Sequence, residues 1–519
     1  MEMAAALLAV ISLVSLSPID FAQSPAILQM PNASGVHTAV SLRALLLCAL
    51  LGAPSANCLA QSSLPDTLRT QLEAAGLPPD SLSYTVQRLP DGSTWAAAGA
   101  DRSVQPASTL KLMTSLVALD TLGPIYRGRT ELLLSGVKTA GVFEGDVIVR
   151  GLGDVDLDAA AFERLLGALR LEGIQEIRGD LVLDRTFFDP ARTDVGVPPF
   201  DEAPEFRYNF IPDALMAGSN LMHLDLASDQ DTVRVLVATP LSGVTVESKM
   251  ELVDRPCEDW EDGWKYPSVR TGRDGFVVVT LLGEYPRDCR ASTAINVIDR
   301  VAYTERLFRA TWQRLGGKFR GKVRDGVAPA NARLVASHGS RPLSQVLIDI
   351  NKRSDNPVTR VMFLTLGVAS GAARPTVQSA DAAIRSWLEA HGIDTAGLVL
   401  ENGSGLSRTE RVTPNQLAAV LRLAAAGPWA PEYMASLPVV AVDGGMRNRL
   451  RTSPAAATAR IKTGTLRDVT AIAGYVRDSG GGTNVVVAML NHERATRYVA
   501  RPILDTIIDW VARSPGPAL

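Results

Sequence analysis

Lysine, histidine and cysteine are all scarce in this chain of 519 residues, and each scarcity removes a class of function. Eight residues are Lys and five are His, while 52 basic side chains face 55 acidic ones for a net charge of −3. No basic surplus exists to neutralise a phosphate backbone or an anionic lipid surface, so nucleic acid is not an expected partner. Beyond position 60 the histidines are His223, His338, His391 and His492, without H-x-x-H or C-x-x-C spacing, so no metal site is expected. G-x-G-x-x-G and P-loop patterns are missing as well, and no cofactor is expected.

Long apolar runs are also lacking. Ala44-Leu-Leu-Leu-Cys-Ala-Leu-Leu-Gly-Ala53 falls well short of the ~20 residues that span a bilayer, so no stable membrane span is expected. It follows Arg43 and leads to the small-residue site Cys58-Leu59-Ala60, the pattern of an export signal cut near Ala60. Met30 offers an alternative start. Export places the mature chain in the periplasm, where Cys257 and Cys289, the two cysteines left after cleavage, are expected to form a disulfide.

Apolar residues make up 46% of the chain, and the length accommodates two to four domains of ~100–200 residues. From Ser108 onward Leu112, Leu116 and Leu119 share one face of a predicted helix. Gly145–Arg150, Phe162–Leu171 and Gly179–Asp184 read as strand, helix and strand. A Pro-, Asp- and aromatic-rich stretch (Phe187 to Pro212) leads into a mostly β region from Leu221 to about Val323. Leu343, Val346, Leu347 and Ile350 mark an amphipathic helix that the polar cluster before Pro357 is expected to stop. Helices at Ala380–His391 and Thr413–Ala426, strands at 460–466, 471–476 and 484–490, and a terminal helix over Pro502–Arg513 complete the pattern.

A Ser becomes a nucleophile when a neutral Lys takes its proton, and on a helix residues i and i+3 lie one turn apart on one face. Ser-x-x-Lys occurs twice, at Ser108–Lys111 and Ser135–Lys138, but the second copy is Gly-punctuated and strand-like. Only the first can stack hydroxyl and amine, and a nearby second cation together with burial would keep the amine neutral. Ser354-Asp355-Asn356 supplies a hydroxyl to relay a proton and an amide to hold a carbonyl. Lys462-Thr463-Gly464 opens a predicted edge strand, offering a second cation, a hydroxyl for a carboxylate, and a glycine that admits close backbone approach. This ordered trio is the one found in serine β-lactamases and penicillin-binding proteins.

With 245 residues between Ser108 and Ser354, the chain resembles the low-molecular-mass class C penicillin-binding proteins, D-alanyl-D-alanine carboxypeptidases/endopeptidases with two domains inserted at that point. The resemblance extends through Gly145–Asp154, Gly179–Asp184, Asn402-Gly-Ser-Gly-Leu-Ser-Arg408 and Asp443-Gly-Gly-Met-Arg-Asn-Arg449. It implies an α/β (α+β) fold: a serine β-lactamase/transpeptidase-like catalytic domain, antiparallel sheet flanked by helices, interrupted by a mostly β insertion of about two domains. The expected division is leader 1–60, catalytic domain 61–125 and 326–519, insertion 126–325.

The resemblance further implies Ser108 as acyl-enzyme nucleophile, Lys111 as general base, and Ser354, Asn356 and Lys462 as proton relay and substrate clamp. Thr463 and Gly464 line the substrate site, the N–H groups of Ser108 and Thr465 form the oxyanion hole, and Arg408 contacts the carboxylate of the substrate's diamino acid. Two departures from the usual pattern, Asn402 for Asp and Arg467 for a Gln of some relatives, bear on side-chain preference rather than the reaction. The expected partners are peptidoglycan stem peptides, β-lactams as covalent inhibitors and, as protein partner, a second copy of the chain in a homodimer. The alternatives are a β-lactamase or esterase on the same scaffold, against which no Glu-x-x-Leu-Asn segment occurs, and a non-catalytic wall-binding protein.

Overall fold

The computed structural model describes residues 65–516; the export signal and the candidate start at Met30 lie outside them. Five antiparallel strands form one sheet in the order 460–466, 469–477, 483–491, 82–88, 94–98. Its central strands are buried on both faces, which is why they read as continuous apolar runs. Ala471, Ala473, Val485, Val487 and Met489 face a helical layer made by Lys111–Leu122, Leu343–Asn351, Asn356–Ala369, Val377–Ala390 and Pro414–Ala426. Ile472, Val476, Val486, Ala488 and Leu490 alternate to the other face and pack on Arg497–Arg513 and Asp66–Ala74.

Between the halves of this unit, Arg129–Thr139 and Val142–Leu152 pair in a seven-stranded sheet. Val142–Leu152 runs parallel to Leu181–Asp184 with the helix Ala159–Leu171 as the crossover, the expected strand–helix–strand unit. The sheet is closed by Arg333–Gly339, so it extends past residue 325. A three-stranded and a four-stranded sheet occupy 222–295, and Cys257 and Cys289 are disulfide-bonded there with their Cα atoms 5.2 Å apart. The mixed α/β architecture, with antiparallel sheet and flanking helices, is the expected fold.

Several expectations need correction. The amphipathic helix Leu343–Asn351 ends within the polar cluster as expected, but Pro357 has no part in stopping it: it lies in the first turn of the next helix, Asn356–Ala369, with the Asp355 carboxylate capping the Val358 N–H. Proline fits there because a first-turn N–H has no intrahelical partner to lose. The mostly β region contains the helix Arg300–Arg314, whose Tyr303, Leu307, Phe308 and Trp312 are buried. A short helix, Ala430–Ser436, and the strands Leu82–Arg88 and Thr94–Ala98 were not anticipated. Ser135 and Lys138 lie within the strand Arg129–Thr139, so that copy of Ser-x-x-Lys is not helical.

Candidate active site

Ser108 sits on a single 3₁₀ turn, Ala107–Leu110, that feeds directly into the helix Lys111–Leu122. Ala107 adopts φ 46°, a left-handed conformation rare for a residue with a Cβ. Two glycines let other backbone segments press onto this turn. A Cβ on Gly464 would lie 2.9 Å from both the Pro106 carbonyl oxygen and the Ser108 nitrogen. A Cβ on Gly405, at φ +79°, would lie 1.9 Å from the Ala107 carbonyl oxygen. Strand 460–466 and loop 401–410 are thereby seated against Ser108.

One turn along, Lys111 is fully buried and its Nζ has three partners: Ser108 Oγ at 2.9 Å, Asn356 Oδ1 at 2.6 Å and the Ser404 carbonyl oxygen at 2.5 Å. Two are acceptors only, whereas the hydroxyl can either accept or donate. A neutral amine, with two protons and one lone pair, satisfies all three by donating to the two carbonyls and accepting from Ser108. Burial holds the Lys111 amine well below the usual lysine range, the positive charge of Lys462 adds to that, and Glu410 and Asp355 oppose it.

Lys462 is buried too, and its Nζ donates to Ser354 Oγ and the Thr463 carbonyl oxygen, each at 2.8 Å. Burial lowers it to about 7. Ser354 occupies φ 60°, at the bend between the helices Leu343–Asn351 and Asn356–Ala369. Ser108, Lys111, Ser354, Asn356 and Lys462 therefore form one continuous constellation. Gly464 lies beside it, with Thr463 half-buried and Thr465 exposed on the same strand.

Arg408 is exposed, its guanidinium 4.7 Å from the Phe200 ring and its Nη1 3.4 Å from the Arg467 carbonyl oxygen. Arg467 in turn pairs with Glu202 at 3.1 Å. The fold also brings here several residues to which the sequence alone gives no role. Glu410, buried, accepts the N–H groups of Glu401, Asn402, Gly403 and Gly405 and so shapes the loop that presents Ser404 to Lys111. Asn402 accepts from the Ser404 N–H and hydroxyl and donates to the Leu406 carbonyl at 3.0 Å, a donation that an Asp could not make. Tyr208 supplies a carbonyl oxygen 2.9 Å from Asn356 Nδ2, and Arg207 holds Asp355 at 2.8 Å. Both come from the Pro-, Asp- and aromatic-rich stretch noted above, whose composition signalled an irregular segment but not its destination.

The model of the D-Ala-D-Ala carboxypeptidase 3 (S13) family matches residues 65–513. A D-alanyl-D-alanine carboxypeptidase of Actinomadura sp. (strain R39) is 28% identical over 398 residues, covering 72% of this chain and 70% of that protein. The D-alanyl-D-alanine carboxypeptidase DacB of Haemophilus influenzae is 27% identical over 390 residues, or 74% of this chain and 80% of the relative. The crystal structure of penicillin binding protein 4 (dacB) from Haemophilus influenzae superposes with TM-score 0.69 and 25% identity, over 82% of this chain and 93% of that one. These relatives do not favour the β-lactamase or esterase alternative. The chain belongs to the D-Ala-D-Ala carboxypeptidase 3 (S13) family and is a serine-type peptidase of peptidoglycan.

Proposed function

We propose that the chain is exported to the periplasm and hydrolyses D-alanyl-D-alanine bonds of peptidoglycan stem peptides, as carboxypeptidase and as cross-link endopeptidase, through an ester on Ser108. The observation that carries this reading is the three-partner environment of Lys111 Nζ, which suits a neutral amine with its lone pair on the Ser108 hydroxyl. Lys111 takes the Ser108 proton as Oγ attacks the D-Ala carbonyl carbon. The oxyanion is received by the N–H groups of Ser108 and Thr465, a pairing supported by the close approach of Gly464 to the Ser108 nitrogen. Ser354, hydrogen-bonded to Lys462, relays to the departing amine the proton that Lys111 took from Ser108, giving up its own hydroxyl proton as it receives that one, and the amine leaves as D-Ala or as the freed cross-link strand. Water then cleaves the ester and regenerates Ser108.

Thr463 and Arg408 meet substrate carboxylates in this scheme, and the insertion expected at 126–325, which the strand Arg333–Gly339 carries past 325, interrupts the catalytic unit. β-Lactams acylate the same Ser108. The experiment is a digest of pentapeptide and cross-linked muropeptides. D-Ala release and cross-link opening by the wild type, both absent in Ser108→Ala, are expected; activity retained by Ser108→Ala refutes the assignment.

A further inference from the structure

The segment 201–209 is braced at one end, anchored in the middle and joined to the catalytic cluster at the other end. Asp201 accepts from the Tyr208 hydroxyl at 2.8 Å, the Asn209 amide at 2.6 Å and the Ala203 N–H at 3.0 Å, which closes the segment on itself. Glu205, buried, accepts the Trp264 indole N–H at 2.8 Å, and its carbonyl accepts the Asn296 N–H at 2.7 Å. Phe206 packs against the Trp264 ring at 5.7 Å and bridges to Ile295. Trp264 and Ile295 belong to the β region at 222–295, and Asn296 follows its last strand.

Residues 207 and 208 reach the Ser354-Asp355-Asn356 motif. Arg207 Nε and Nη2 donate to Asp355 Oδ2 at 3.0 and 2.8 Å, and the Tyr208 carbonyl accepts from Asn356 Nδ2 at 2.9 Å. The Asn356 amide has its other atom, Oδ1, on Lys111 Nζ. An amide held by one partner can swing about its last torsion; held at both ends, it keeps its oxygen on the amine.

We propose that segment 201–209 is a positioning strap for the reaction, with Arg207 its positioning residue: by fixing Asp355 and Asn356 it holds the carbonyl that orients Lys111 toward Ser108. Acylation then depends on how the β region at 222–295 anchors the strap. The proposal rests on Ser108 and Lys111 acting as described above.

The test is acylation by a fluorescent penicillin, resolved into a binding constant and a maximal acylation rate, on the full chain. Arg207→Gln is expected to lower the maximal rate about tenfold with binding and melting temperature unchanged. Arg207→Lys, which keeps the charge but not the fork, is expected to recover part of that loss. Trp264→Phe removes the indole N–H that Glu205 accepts and trims the ring packed against Phe206, and is expected to lower the same rate by a few-fold. Wild-type rates in Arg207→Gln, a change confined to binding or melting temperature, or no recovery in Arg207→Lys would each overturn the strap. A wild type that acylates on Ser108 while Arg207→Gln matches it sinks the strap alone; a wild type without acylation at Ser108 sinks the underlying function instead.

Discussion

Replacing Gly464 with alanine tests how closely the strand lies against the nucleophile. The added carbon would stand 2.9 Å from the Pro106 carbonyl oxygen and the Ser108 nitrogen and 3.0 Å from Ala107 Cβ. Comfortable contact needs about 3.5–4.0 Å, so strand and turn must part by roughly 0.5–1 Å. The three obstacles are two backbone atoms and a Cβ, with no flexible side-chain end among them to yield. Misplacement of about 1 Å at a reacting centre costs on the order of 100-fold in rate, while overpacking of this kind costs about 1–3 kcal/mol in stability. Gly464→Ala is therefore expected to remain folded but to be acylated by a fluorescent penicillin about 30–100-fold more slowly, in stopped-flow traces paired with a thermal melt. Thr465→Ala, which keeps its backbone N–H, is expected to lose only a few-fold. Wild-type acylation by Gly464→Ala would refute the argument that this backbone contact shapes the reacting geometry.

Three further outcomes follow from the charges and covalent links. Lys462 depresses Lys111 through its charge, so in Lys462→Met the Lys111 amine titrates higher and the acid limb of the residual acylation rate moves to higher pH; a limb that stays put or moves down refutes the coupling. Glu410 acts in the opposite sense, so Glu410→Gln moves that limb to lower pH, and it also leaves the Gly405 N–H facing an amide NH₂ at a cost of about 1–3 kcal/mol by denaturant titration. Replacing Cys257 and Cys289 by serine opens a link that spans 32 positions and is expected to cost about 2–4 kcal/mol, read as a lower unfolding midpoint; an unchanged midpoint would show that the link contributes nothing.

That the three motifs meet at one site was legible because each element is local. A Ser and a Lys one turn apart need only a helix to meet, and Lys-Thr-Gly needs only a strand. The scarcity of lysine sharpened this, since Lys111 and Lys462 are two of eight in the whole chain. The alternation of helix and strand was legible in the same local way, from the apolar runs 471–476 and 484–490 and the amphipathic positions Leu343, Val346, Leu347 and Ile350, while the fold class came with the resemblance that the trio and its spacing carried.

What escaped is what depends on distant pairing. Glu410 looks like any surface glutamate until loop 401–410 wraps four N–H groups around it. Arg207 and Tyr208 stand 148 positions from the residues they hold, and no local pattern announces that meeting. Asn356–Ala369 was missed because it is apolar nearly all round, so no polar stripe reveals its period, and its proline reads equally as a stop or a start. Arg300–Arg314 has the period, but its arginines and threonines dilute the apolar signal within a β-rich neighbourhood.

The central claim is that Ser108 carries the acyl group while Lys111 takes its proton. Peptide mapping by mass spectrometry after penicillin treatment tests it most directly. A single penicilloyl adduct on the peptide containing Ser108, formed by the wild type and lost in Ser108→Ala, is the predicted result. An adduct on any other serine, or one that persists in Ser108→Ala, would contradict it.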